Sequence, residues 1–305
     1  MGFCADAPVK GNRSCALRAV RRPASNQVTK DARELMSTFK LIALDLDGTT
    51  VRSDLSISPR VLQAVQRAKA RGLWVTAATG RNVTSTRSFA ERLGINAPAI
   101  CLQGGVIYDY QAERCLRHIP LPRDLACELA AVERTHPSWR AALYQGDRIY
   151  VTDGAFFGRL NDLVGHGFSV VPDLCAVLAH EDADKILFTV DPPQVPSAIA
   201  YLRALVGDRA MVVQSHARFV EVNPLGADKG AALQALAAHL GVAREEVMAI
   251  GDQGNDATMI AWAGLGVAMA SGHADIRAIA DWVAPGIEED GAALAIERFV
   301  LSAAL

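Results

Sequence analysis

The segment KLIALDLDGTTVRSD, residues 40–54, limits the fold more than any other part of the chain. Four apolar residues, Leu41 to Leu44, run into Asp45 and Asp47 and then into a glycine turn. A short apolar run bounded by a turn reads as a strand buried on both faces, the kind a parallel sheet contains. Two carboxylates where such a strand ends repel one another, by about 4 kcal/mol at 4 Å and an effective dielectric of about 20. Something positive must complete the site.

The flanking sequence supports a parallel sheet. After residue 40, apolar runs at 73–79, 98–105, 246–252, 265–270 and 281–284 alternate with helical patterns at 58–72, 82–94, 228–241, 255–264, 274–280 and 289–303. Such alternation marks βαβ units. Between about 106 and 222 the texture changes to hairpin-like pieces, VIYDYQAERCLRHI and RAALYQGDRIYVTD, with DKILFTV, RFVEVN and two helical stretches. The expected class is α/β: a Rossmann-like parallel-sheet core, residues 38–109 and 223–305, with an inserted α+β cap, residues 110–222. Residues 1–37 precede the core as an extension that is basic, polar and without periodicity. It reads as a disordered tail ahead of a domain opening near Met36, or as an Arg-rich targeting peptide.

Composition excludes several classes. Half of the 305 residues are hydrophobic, 21% are charged and the net charge is -2, so no nucleic-acid or anionic-membrane surface is expected. No apolar run reaches the roughly 18 residues of a membrane span. The six cysteines, Cys4, Cys15, Cys101, Cys115, Cys127 and Cys175, form no C-x-x-C pair. They read as reduced thiols of a cytoplasmic protein. The seven histidines show no ligand spacing.

In an open α/β sheet the ligand site lies outside the carboxyl ends of the strands. Asp45 and Asp47 close the first strand, Thr79 the second, and Asp252 the strand VMAIG; Asp256 follows, and Lys229 opens the preceding helix. Taken alone, Asp-Gly after an apolar run is equally a turn signal. Oxygen donors without imidazole or thiolate select a hard cation, and carboxylates facing a lysine and a helix N-terminus suit magnesium and a phosphate.

DLDGT, TGR, the lysine of ADKG and GDQGND, in this order, resemble the four motifs of the haloacid dehalogenase-like hydrolase superfamily. The long insert resembles the C2-type cap of its Cof-type phosphatases. The resemblance implies that Asp45 is the nucleophile that forms an aspartyl-phosphate and that Asp47 is the general acid and base. It implies magnesium held by Asp45, the main-chain carbonyl of Asp47 and Asp252, with Asp256 in support. Leu46, Thr79, Gly80, Lys229 and Asn255 would hold the phosphoryl group, and Arg81 and Gln103 are candidate substrate contacts. The implied activity is a magnesium-dependent phosphomonoesterase acting on a small phosphorylated metabolite, a sugar phosphate foremost. A hexose phosphomutase and a non-catalytic phosphometabolite-binding protein share the scaffold.

Some alternatives stay open. Asn255 can instead cap the helix that follows it. Lys185 and Arg81 read as solvated or ion-paired surface groups. Tyr144, Tyr150, Phe156 and Phe157 read as cap core. Two departures from the family pattern stand out: Thr50, where a leucine is frequent, expected to touch no catalytic group, and Gln103-Gly104-Gly105, where many members have Asn-Gly-Ala. Every group assigned to chemistry lies outside 106–222, so the insert is expected to supply closure and selectivity.

Overall fold

Leu41, Ile42, Ala43 and Leu44 are wholly buried, and they divide between two cores. Ile42 and Leu44 join the apolar cluster on one face of the sheet, while Leu41 and Ala43 join the cluster on the other. A strand covered on both faces has no polar side to alternate with, which is why this run is continuous. The computed structural model describes residues 39–158, 167–179 and 181–302. The N-terminal extension, with its expected boundary at residue 37, lies outside them.

Strand β1 (Leu41–Leu44) is the fourth of five in a sheet ordered β14-β13-β12-β1-β2. The others are β2 (Trp74–Ala77), β12 (Val247–Gly251), β13 (Leu265–Met269) and β14 (Trp282–Ala284), and every pairing is parallel. Helix α1 (Pro59–Ala70) starts with a Ser58 cap on the Val61 N–H and a proline in its first turn, and α2 (Val83–Leu93) starts with an Asn82 cap. The fold class is therefore the one expected, a parallel-sheet α/β core with further sheet and helix elements.

The run at 98–105 departs from expectation. Only Ala99–Cys101 is a strand, β3, and it touches the parallel sheet by a single bridge, Ala78 to Ile100. It pairs antiparallel with β4 (Val106–Asp109), which pairs with β5 (Arg114–His118). Leu102 and Gln103 turn into positive φ, 51° and 58°, and end the strand. The expected insert boundary at residue 110 falls inside this hairpin.

The remaining strands form a six-stranded sheet ordered β10-β11-β9-β6-β7-β8. These are β6 (Arg140–Gln145), β7 (Arg148–Val151), β8 (Ser169–Val170), β9 (Lys185–Thr189), β10 (Ala210–His216) and β11 (Phe219–Pro224). Alternation assigns its faces. Ala141, Leu143, Ile186, Phe188, Val220 and Val222 pack with helices α3 (Arg123–Ala130) and α4 (Val195–Val206). Ala142, Tyr144, Leu187 and Phe219 face the other way and pack with Ala99, Cys101 and Leu102 at β3. Among the described residues no helix is long and apolar enough to cross a membrane.

One expectation is overturned by the second sheet's helices. Cys127 on α3 and Cys175 in the short helix Leu174–Val177 form a disulfide, with Cα atoms 4.9 Å apart across 48 residues of sequence. The reading of all cysteines as reduced thiols fails here because spacing along the chain does not report which helices lie side by side. Cys101 and Cys115 are free, and Cys4 and Cys15 lie outside the described residues. Closing a loop of this length stabilises by about 2–4 kcal/mol. The paired replacement Cys127→Ser, Cys175→Ser is expected to lower the urea midpoint accordingly, and an unchanged midpoint would show that the two sulfurs are not bridged in solution.

Candidate active site

β1 delivers Asp45 to the carboxyl edge of the sheet, where its side chain is 7% exposed. The turn after Asp47 is locked by Gly48, whose φ is +88° and where a Cβ would stand 2.5 Å from Asp252 Oδ2. Only glycine meets both demands, so the turn is pinned to the end of β12. The main-chain carbonyl of Leu46 closes this turn by accepting from the N–H groups of Thr50 and Val51 at 2.9 and 2.7 Å.

β12 ends at Gly251, and the single turn Gly254–Asp256 folds Asp256 back under it. Asp256 Oδ2 accepts from the N–H groups of Asp252 and Gln253 at 2.9 and 3.0 Å. Asp252 accepts from Thr49 Oγ1 at 3.2 Å and from Gln253 Nε2 at 2.9 Å. Helix α5 (Lys229–His239), capped by Asp228, places Lys229 at its first position with no solvent exposure. Its ammonium donates to Asp45 Oδ1 and to Asp256 Oδ1, each at 2.6 Å. One oxygen from each of Asp45, Asp252 and Asp256 lies within 4.8 Å of the other two.

The electrostatics follow from burial. Desolvation, then the neighbouring Asp256, hold Asp45 well above the usual carboxylate range, and Lys229 only partly offsets them. The same two causes push Asp252 up to about 6. Burial alone would lower Lys229, but Asp256 and Asp45 outweigh it and keep the ammonium charged. Three buried carboxylates thus share one ammonium, and negative charge remains in a low dielectric. Oxygen-only donors of this kind fit a hard divalent cation. Asp252 is held only by neutral donors, Thr49 and Gln253, whereas Asp256 is engaged by the Lys229 ammonium and two main-chain N–H groups.

Asp47 is placed differently from its neighbours. Its side chain is 53% exposed and lies in a bidentate pair with Arg81, Nε to Oδ2 at 2.8 Å and Nη2 to Oδ1 at 2.6 Å. Its carboxylate does not belong to the acidic cluster. Arg81 is itself stacked on Phe89, 4.7 Å from the ring centroid, and Asp47 holds the guanidinium above its ordinary range against the opposing effect of burial.

β2 leads into Thr79 and Gly80. Thr79 is buried, its carbonyl accepts from the Gln103 N–H at 3.0 Å, and its hydroxyl accepts from the Arg81 N–H at 3.1 Å. A hydroxyl that accepts there has its own proton left to donate. Asn255 does not cap the next helix, α6 (Ala257–Trp262): Asp256 holds that position, and Asn255 Nδ2 instead donates to Gln103 Oε1 at 2.9 Å. Asn255 Oδ1 is buried and has no partner among the described residues.

One reading of a single residue is corrected. Lys185 is not a surface group: its side chain is 3% exposed, and Nζ donates to Glu221 Oε2 at 3.0 Å and to the Gly80 carbonyl at 2.9 Å. Thr50 braces the backbone of the catalytic segment: its hydroxyl donates to the main-chain oxygen of Asp45 at 2.8 Å, not to the carboxylate. Tyr144 is buried, as expected of core, with Lys185 Nζ 4.6 Å from its ring centroid. Sequence reasoning missed Glu221 altogether. The available signal was its place in RFVEVN, an acidic residue in phase with Phe219 on the face opposite Val220 and Val222.

Residues 42–296 match the family model of haloacid dehalogenase-like hydrolases. The chain is 31% identical over 272 residues to the chloroplastic endoribonuclease YBEY of Arabidopsis thaliana, covering 86% of this chain but 46% of that longer one. It is 29% identical over 273 residues to the 5-amino-6-(5-phospho-D-ribitylamino)uracil phosphatase YitU of Bacillus subtilis, covering 85% of this chain and 97% of that one. A solved haloacid dehalogenase-like hydrolase from Bacteroides thetaiotaomicron superposes with a TM-score of 0.76 at 29% identity, over 85% of this chain and 99% of that one.

Proposed function

Because the chain belongs to the haloacid dehalogenase-like hydrolases, we propose that it is a magnesium-dependent phosphomonoesterase that works through an aspartyl-phosphate on Asp45. The observation that carries this reading is the buried Asp45 carboxylate, fixed by Lys229 inside an acidic cluster, with Asp47 two residues away at the mouth of the site.

The Asp45 carboxylate attacks phosphorus, the bond to the leaving oxygen breaks, and its electron pair departs with that oxygen. Asp47 gives the leaving oxygen a proton and afterwards takes one from the water that attacks the aspartyl-phosphate. A carboxylate gripped by a guanidinium has no proton to give, so Asp47 must first part from Arg81. The incoming phosphate is the natural competitor for that guanidinium, which makes Arg81 a substrate contact. The Thr79 hydroxyl, the main-chain N–H groups of Leu46 and Gly80, Lys229 and Asn255 hold the phosphoryl oxygens as charge develops. A magnesium ion held by Asp45, Asp252 and the main-chain carbonyl of Asp47 would neutralise the repulsion between substrate and carboxylates.

Residues 110–222 act as a cap that reads the leaving group, and the substrate is a small phosphorylated metabolite, with sugar phosphates first in order. The test is phosphate release by the purified chain with magnesium over a panel of phosphorylated metabolites. No Asp45-dependent release from any of them would end the proposal. A strict requirement for a sugar bisphosphate would point to a phosphomutase instead.

A further inference from the structure

The six-stranded sheet meets the catalytic edge through buried charge. Lys185 on β9 and Glu221 on β11 point to the same face as Leu187 and Phe219, and their side chains are 3% and 4% exposed. Each has more than one partner. Glu221 accepts from Lys185 at 3.0 Å, from Gln103 Nε2 at 3.3 Å and from Ser215 Oγ in a short bond. Lys185 spans from Glu221 to the Gly80 carbonyl. Breaking such a buried pair leaves an uncompensated charge, so these side chains are not free to wander.

The Gly80 carbonyl and the Arg81 N–H are two ends of one rigid peptide plane. Lys185 holds the carbonyl end at 2.9 Å, and the N–H end donates to Thr79 Oγ1 at 3.1 Å. The ammonium therefore fixes the orientation of the plane and polarises it, which strengthens the bond to Thr79. With one lone pair committed to Arg81, the Thr79 hydroxyl directs its proton elsewhere. Gly80 lets the plane come this close, since a Cβ there would stand 2.5 Å from Gln103 Nε2. On the other side, Gln103 carries the same network to Asn255.

We infer that Lys185 is a positioning residue of the phosphoryl site: through the Gly80–Arg81 peptide it sets the Thr79 hydroxyl as a donor. This rests on the phosphatase reading, and it adds a residue of the insert to a site that sequence reasoning had confined to the core. Seating the second sheet against the catalytic edge and orienting the phosphoryl donors become one event.

The test uses orthovanadate with magnesium as the probe, because it occupies the phosphoryl position and has no leaving group to read. Calorimetry measures its Kd for the wild type, Lys185→Met, Thr79→Val and the double variant. A further variant, Lys185→Met with Glu221→Gln, removes both buried charges and guards against misfolding. Lys185→Met, with or without the Glu221 change, is expected to weaken vanadate about 10- to 100-fold. It should lower kcat/KM for p-nitrophenyl phosphate and β-glycerophosphate by the same factor. Thr79→Val added to Lys185→Met should cost much less than Thr79→Val alone, since the two act as a unit.

Unchanged vanadate affinity in both Lys185 variants, even with a lowered melting temperature, overturns the inference. So does a loss confined to β-glycerophosphate, which would make Lys185 a reader of the leaving group, and so does additivity in the cycle. A wild type that binds vanadate but hydrolyses nothing ends the phosphatase reading while the affinity ratios still decide the role of Lys185. A wild type that binds no vanadate overturns both.

Discussion

Asp45→Asn is expected to abolish turnover and, in metal-free buffer, to raise the melting temperature. The two effects have one origin. The carboxylate is needed because the amide cannot attack phosphorus, and loss of a nucleophile costs about 10⁴-fold or more in kcat. Yet that carboxylate is held uncomfortably, buried beside Asp256 with its pKa displaced upward. The amide keeps the shape and removes the repulsion, while Lys229 retains Asp256 as its partner at 2.6 Å. Such sites exchange stability for activity. Asp47→Asn differs in kind, because Asp47 is half exposed and paired with Arg81. It should slow turnover by about 10²- to 10⁴-fold. With p-nitrophenyl phosphate, whose leaving group needs little protonation, it should show a burst of product before a slow steady state. Near-normal steady-state turnover in the Asp45 variant would end the covalent mechanism.

The parts of this protein that were legible in the sequence are those set by local pattern. Apolar runs alternating with helical patterns mark βαβ units, so β1 and β12 could be assigned to a parallel sheet, and the structure places them at its centre. Ser58 before Pro59, and Asn82 before α2, mark helix starts by capping chemistry that acts within three residues. The strand-end rule then collects Asp45, Thr79 and Asp252 without further information. What could not be read depends on contacts between segments far apart in the chain. Lys185 and Gly80 are 105 residues apart, and Glu221 and Gln103 are 118 apart. A lysine at the start of an apolar strand reads as a snorkelling surface group unless its acceptor is known. The same applies to the disulfide, which depends on how α3 crosses Leu174–Val177. The strand at 99–101 shows a different failure: its composition suits either sheet, and the positive φ of Leu102 and Gln103 decides that the chain turns back.

Removing divalent metal should silence the enzyme, and the stability of the metal-free protein should then depend on pH in a direction that the acidic cluster fixes. Asp45 and Asp252 both titrate above the ordinary value of 3.8 in the folded chain, Asp252 at about 6. A carboxyl whose folded pKa is raised binds its proton more tightly in the native state than in the unfolded one. Its contribution to stability is therefore fully present below about pH 4 and is lost as pH rises through the folded value. For Asp252 that window is roughly pH 4 to 6, so at pH 7.5 Asp252 carries its buried negative charge in the metal-free site. A divalent cation competes with those protons. Magnesium should stabilise little at pH 5, where Asp252 is largely protonated, and fully at pH 7.5. At about 100 times its Kd a ligand stabilises by about 2.7 kcal/mol, which for a chain of this size is a rise of about 5 °C. Calcium should support less turnover, because it prefers more ligands at longer distances. The checks are differential scanning fluorimetry in EDTA and in magnesium at both pH values, alongside phosphate release. Full activity in excess EDTA would remove the metal from the mechanism. A magnesium-induced rise of equal size at pH 5 and pH 7.5 would place the ion somewhere other than the cluster of Asp45, Asp252 and Asp256.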